Sequence, residues 1–121
     1  MITVGIGARS GVSAGEVLAA VDAVLPAGAG AGDVRVATLD ARAQEPGLRE
    51  AAAARGWPLA GHTATALARV RTPTVSARVA AEVGTGSVAE AAALVHGGSL
   101  VVPRTVCGRV TVAVASGAPA P

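Results

Sequence analysis

The apolar positions change period along the chain, and each change marks an element. Residues 2–6 form an apolar run of strand length, a glycine-containing loop follows, and Val17, Val21, Val24 and Leu25 then recur at helical spacing. Pro26 ends that helix, and AGAGAGD at 27–33 connects it to a second strand from Val34 to Leu39. Pro46 near a helix start and Gly56 in the position of a left-handed cap bracket a second helix. A short third strand is expected around 58–60, and a short helix from just after His62 to about Ala68. After a break over 69–73, residues 74–83 predict a helix with Val75, Val79 and Val83 on one side and Gly84 as its stop. Over 87–96, Val88, Ala91, Ala92 and Val95 make one apolar stripe that ends at Gly97 and Gly98. The last stretch returns to strand period. SLVVP and RVTVAVA predict two antiparallel strands joined by a loop from Pro103 to Gly108.

Strands alternating with helices predict a three-layer α/β/α fold around a mixed, mainly parallel sheet of about five strands, with right-handed crossovers. Residues 1–116 are expected to form one domain and 117–121 a flexible tail. In such a sheet the loops leaving the carboxyl ends of the strands gather at one edge, where a ligand is expected. Composition sharpens this picture. The 121 residues are 51% hydrophobic with no Phe or Tyr and a single Trp, so the core must be built from small aliphatic groups and close helix-on-sheet contacts.

Charge removes several function classes. All ten cationic residues are arginine, which rules out a P-loop lysine and a Schiff-base lysine. A net charge of +2, with no basic stretch and no aromatic platform, argues against nucleic-acid binding. Cys107 stands alone, without a disulfide partner or metal-ligand spacing, and is read as an inert thiol. No charged leader precedes the first strand, and no apolar run reaches the roughly 18 residues of a membrane span. A cytoplasmic protein without metal, cofactor or membrane contact is expected.

The candidate chemistry lies at the carboxyl edge. Ser13-x-x-Glu16 and Ser87-x-x-Glu90 both match the capping box, in which Ser and Glu exchange hydrogen bonds with each other's backbone amides. A helix start beside glycines also attracts anions, which brings in Gly5, Gly7, Arg9, Ser10, Gly11 and Ser13 at the first and Thr85, Gly86 and Ser87 at the second. The loop after the second strand adds Asp40, Arg42 and Glu45, the third strand leads to His62, and the fourth to Arg104 and Thr105. Asp40, Glu45 and His62 are the candidate acids or bases, His62 because its ordinary pKa is near 6.5. His96, at a helix end, is read as favoured by the helix dipole and given no site role. A nucleotide loop is the alternative: Gly5, Gly7 and Gly11 miss the dinucleotide spacing by one residue, although Asp40 stands where a ribose-binding acid would.

Four blocks in order, GIGARSGVSAGEV, TLDARAQEPGLREAA, PTVSARVAAEVGTGSVAEAAAL and SLVVPRTVCGRVTVAVA, resemble the CobE proteins and the homologous C-terminal domain of CbiG, of cobalamin biosynthesis. The resemblance runs from about Thr3 to Ala115. It departs at Ala8, where the family commonly has cysteine, and at Ala43 or Arg104, where lysine is common; a cysteine nucleophile at position 8 is thus not implied. The resemblance implies a corrinoid or precorrin ligand, a flat macrocycle fringed with carboxylates, and other corrin-pathway enzymes as partners. Several arginines at one edge suit such a ligand, because Arg pairs with carboxylates bidentately. The longer CbiG protein opens a ring lactone and releases acetaldehyde. This chain corresponds to its C-terminal portion and is similar to the stand-alone CobE form, so a carrier or assisting role is expected and a hydrolase on a precorrin lactone is the alternative.

Overall fold

The computed structural model describes residues 2–8, 10–25, 31–70 and 88–116. Strand β1 (Ile2–Ala8) leads into helix α1 (Ala14–Val24), and a 3₁₀ turn at Ala31–Asp33 precedes β2 (Val34–Leu39). Then come α2 (Asp40–Ala43), α3 (Pro46–Arg55), β3 (Leu59–His62) and α4 (Ala64–Ala68), and finally α5 (Val88–Leu94), β4 (Ser99–Cys107) and β5 (Val110–Ser116). The strands form one sheet in the order β3-β2-β1-β5-β4. β1 pairs with β2 and β2 with β3 in parallel, while β5 is antiparallel to both β1 and β4. Only β5 is therefore reversed, and the carboxyl ends of β1, β2, β3 and β4 share one edge.

Local chemistry fixes the element ends. Ser13 and Glu16 complete a capping box at α1, which stops at Leu25 just before Pro26. Pro46 opens α3 and Gly56 closes it in the left-handed conformation, as the spacing predicts. Thr63 caps α4 by accepting from the Ala66 amide at 3.0 Å. Arg55 grips Asp22 with two bonds of 2.7 and 2.8 Å, tying α3 to α1.

Two expectations are corrected. The loop foreseen after β2 contains a one-turn helix, α2, too short to show a hydrophobic period and without a side-chain cap. The loop foreseen from Pro103 to Gly108 is strand: β4 continues to Cys107, and Gly108 and Arg109 alone make the turn. Pro103 is tolerated because β4 is an edge strand, and the ladder shifts register between Leu100 and Val102 and between Val102 and Thr105. The helix expected over 74–83 and the tail lie outside the described residues.

The two faces of the sheet are built from different residues. Val4, Ile6, Val34, Val36, Val112 and Val114 point to α1 and α3 and join Val17, Val21, Leu48 and Trp57 in the main core. The intervening positions, Gly5, Ala37, Ala113 and Ala115, face α5 with its alanines. A Cβ on Gly5 would fall on the Ala89 carbonyl oxygen, so α5 lies on the sheet at a distance only glycine permits. Thr38 resolves its burial by donating to the Ile6 carbonyl at 2.7 Å.

Candidate functional site

The β1–α1 loop is pinned from two sides by residues remote in sequence. Glu45, between α2 and α3, accepts the Gly11 amide at 2.9 Å, and Gly47 leaves room for the loop because a Cβ there would meet the Val12 carbonyl. From the β4–β5 turn, Arg109 donates to both carboxylate oxygens of Glu16 at 2.6 and 2.9 Å and reaches the Gly11 carbonyl at 3.4 Å. Glu16 also accepts the Ser13 amide at 3.1 Å. The Arg109 guanidinium first, and the Ser13 amide second, hold the Glu16 carboxyl down from 4.5 to about 2. Such an acid stays ionised and is a poor base at neutral pH. The Gly11 amide, where a nucleotide phosphate would seat, already carries a carboxylate of the chain itself.

Beside this loop, toward the β3 edge, a cavity of about 480 Å³ opens between α2, α3 and β3. Asp40, Gln44 and Arg49 supply its polar rim, and Trp57, Leu59 and Ala52 its apolar wall. Arg42 stands on the same short helix as Asp40, 3.7 Å from Glu45 across a loose ion pair. Of the residues expected to converge, Glu45 meets the β1–α1 loop at Gly11 with Arg42 beside it, and Asp40 lies on the same short helix as Arg42, with Glu45 spent on the loop.

The other predicted residues go elsewhere. His62 ends β3 but its ring lies against His96, with centroids 5.0 Å apart and an edge-to-face angle of 69°. The His96 pKa is lowered by partial burial first, then by the Arg35 charge and by His62. The ring contact with His62 adds a partner that the helix-dipole reading of His96 did not include. Arg104 and Thr105 sit within β4 at the far edge of the sheet. There the buried Glu90 accepts the Arg104 amide at 2.8 Å. Gly5 and Gly7 lie under α5, Ser10 is exposed on the loop, and Arg9, Thr85, Gly86 and Ser87 lie outside the described residues. Arg109 escaped sequence reasoning because its partners, Glu16 and Gly11, are distant along the chain, and so did the contact of His96 with His62. Among the described residues no group of three or more His, Cys, Asp or Glu could hold a metal ion, and no helix is long and apolar enough to cross a membrane.

The family model for the cobalamin synthesis G C-terminus matches residues 2–115. Among solved structures, the chain is similar to CobE, a protein from the cobalamin (vitamin B12) biosynthetic pathway, at 30% identity and a TM-score of 0.77, over 95% of this chain and 92% of that one. It is also similar to the cobalamin biosynthesis protein chiG from Agrobacterium tumefaciens str. C58, at 36% identity and a TM-score of 0.70, over 98% of this chain and 99% of that one. No curated protein matches the chain. The family model and both solved relatives agree: the chain belongs to the cobalamin synthesis G C-terminus family, as a cobalamin biosynthesis protein of the CobE/CbiG type.

Proposed function

We propose that this protein binds a carboxylated corrinoid or precorrin intermediate in the cavity between α2, α3 and β3 and presents it to another corrin-pathway enzyme. One observation carries the reading: the edge cavity combines Arg49 with an apolar wall of Trp57 and Leu59, while the acids of the neighbouring loop are neutralised within the chain. A macrocycle offers that surface a flat apolar edge and a carboxylate together. Arg49 can pair with one carboxylate bidentately, and Arg42 and Arg9 are the candidates for others. The hydrolase alternative is weaker. Glu45 is bonded to the Gly11 amide and His62 lies on the other face, which leaves Asp40 as the only predicted acid or base lining the cavity.

Titration of the protein with hydrogenobyrinic acid, followed by the visible spectrum and by product mass, tests the reading. Saturable binding at micromolar levels with unchanged mass is expected. Replacing Arg49 or Arg42 with Ala should weaken it by about 1.5–3 kcal/mol if either makes a charged hydrogen bond to the ligand. Absence of binding, or unchanged affinity in both variants, contradicts this site. Turnover that disappears in Asp40→Asn would replace the carrier with the hydrolase.

A further inference from the structure

The α5 face of the sheet, away from the cavity, carries three basic side chains, two of them in ring contact. Arg35 projects from β2 on the side opposite Val34 and Val36, which belong to the main core. His62 pairs in register with Leu39, so it shares the face on which Ala37 and Leu39 pack against Leu67 and the alanines of α5. His96 follows α5 and sets its ring edge-on against His62. Arg35 Nε and His62 Nε2 are both buried and make no hydrogen bond. A buried polar atom left without a partner costs about 1–3 kcal/mol, and more when charged, so two such atoms on one face of the sheet are an uncommon arrangement.

We propose that Arg35, His62 and His96 form a receptor for a small oxyanion, a carboxylate or a phosphate group. The guanidinium is a permanent donor with a fork that matches an oxyanion, and a neutral or protonated imidazole can supply a further N–H. Among the described residues the ion pairs join Arg42 to Glu45, Arg55 to Asp22 and Arg109 to Glu16, and none supplies a carboxylate to this cluster. The same charge that lowers the His96 pKa disfavours a metal cation between the two imidazoles. His96 is the exposed member, so the cluster meets solvent through a side chain that can rotate. The site is distinct from the edge cavity, and corrinoid binding there can fail while this receptor stands.

The test is a titration of the full-length ¹⁵N-labelled protein with inorganic phosphate and, separately, sodium propionate, at constant ionic strength held with sodium chloride. The long-range proton–nitrogen spectrum reports both imidazoles. Saturable shifts of the His62 and His96 signals with either anion are expected, and the tighter of the two identifies the oxyanion class. Arg35→Gln should weaken the binding tenfold or more, with the Trp57 indole signal in the opposite core unchanged as proof of folding. Should that variant fail to fold, His96→Gln at the exposed position is expected to lose the His62 response. The proposal is overturned if neither anion moves both imidazoles beyond chloride, or if a folded Arg35→Gln protein binds as the parent does.

Discussion

On the α1/α3 face of the sheet, Val4, Ile6, Val34, Val36, Val112 and Val114 meet Val17, Val21 and Leu48; on the α5 face, the same strands offer Gly5, Ala37, Ala113 and Ala115 to Ala89, Ala91, Ala92 and Ala93. The first face gains from area, since each fully buried Val, Leu or Ile contributes about 1.5–3 kcal/mol. The second gains from proximity, with backbone almost touching backbone beneath α5. Small side chains give little cover at the margin of that face. Polar groups accumulate there: Arg35, His62 and His96 on one side, Glu90 and the Arg104 amide on the other. The contrast teaches that one layer of the protein holds the fold by apolar area and the other gathers polar groups at its margins.

Substitutions on the two faces should fail in opposite ways. Ile6→Ala leaves a cavity in the large-residue core and should cost about 2–5 kcal/mol, read as a lower urea midpoint with an unchanged slope. Gly5→Ala adds one methyl against the Ala89 carbonyl and should cost about 1–3 kcal/mol by overpacking in the same experiment. A neutral Gly5→Ala would break the comparison, because it would mean that α5 can retreat freely. At the pinned loop, Arg109→Ala should return the Glu16 pKa from about 2 toward 4.5, measured by carboxyl NMR. A folded-state pKa below the unfolded one means that the linked stability is complete above 4.5 and is lost as pH falls toward 2; the variant should lack that acid-range loss. The smallest effect is expected at His96. Arg35→Gln should raise its pKa toward 6.5, and because the folded value is depressed, stability linked to neutral His96 is present above 6.5 and declines as pH falls below it. An unmoved His96 pKa would separate Arg35 from the cluster.

Much of the fold is legible in the sequence where one local rule decides. The bounds of β2, the capping box at Ser13 and Glu16, and the Pro46–Gly56 bracket of α3 follow from residues within one turn of each other. The alternation of Val110, Val112 and Val114 with Thr111, Ala113 and Ala115 even announces the unequal faces. What escapes is set by partners far apart in the chain. Arg109 meets Glu16 across 93 residues and Glu45 meets the Gly11 amide across 34, so neither pairing leaves a spacing signal. Pro103 reads as a loop until β4 is known to lie at the edge of the sheet, where a missing donor goes unnoticed. The third strand, expected around 58–60, runs from Leu59 to His62, and the face His62 takes depends on its register with Leu39.

The central claim is that the cavity between α2, α3 and β3, and not the α5 face, receives the corrinoid. Backbone amide shifts recorded while hydrogenobyrinic acid is added to the ¹⁵N-labelled protein test it most directly. The largest changes are predicted at 10–13, 40–49 and 57–61, around Arg42, Arg49 and Trp57. Changes confined to α5 and β4, or none at saturating ligand, would contradict it.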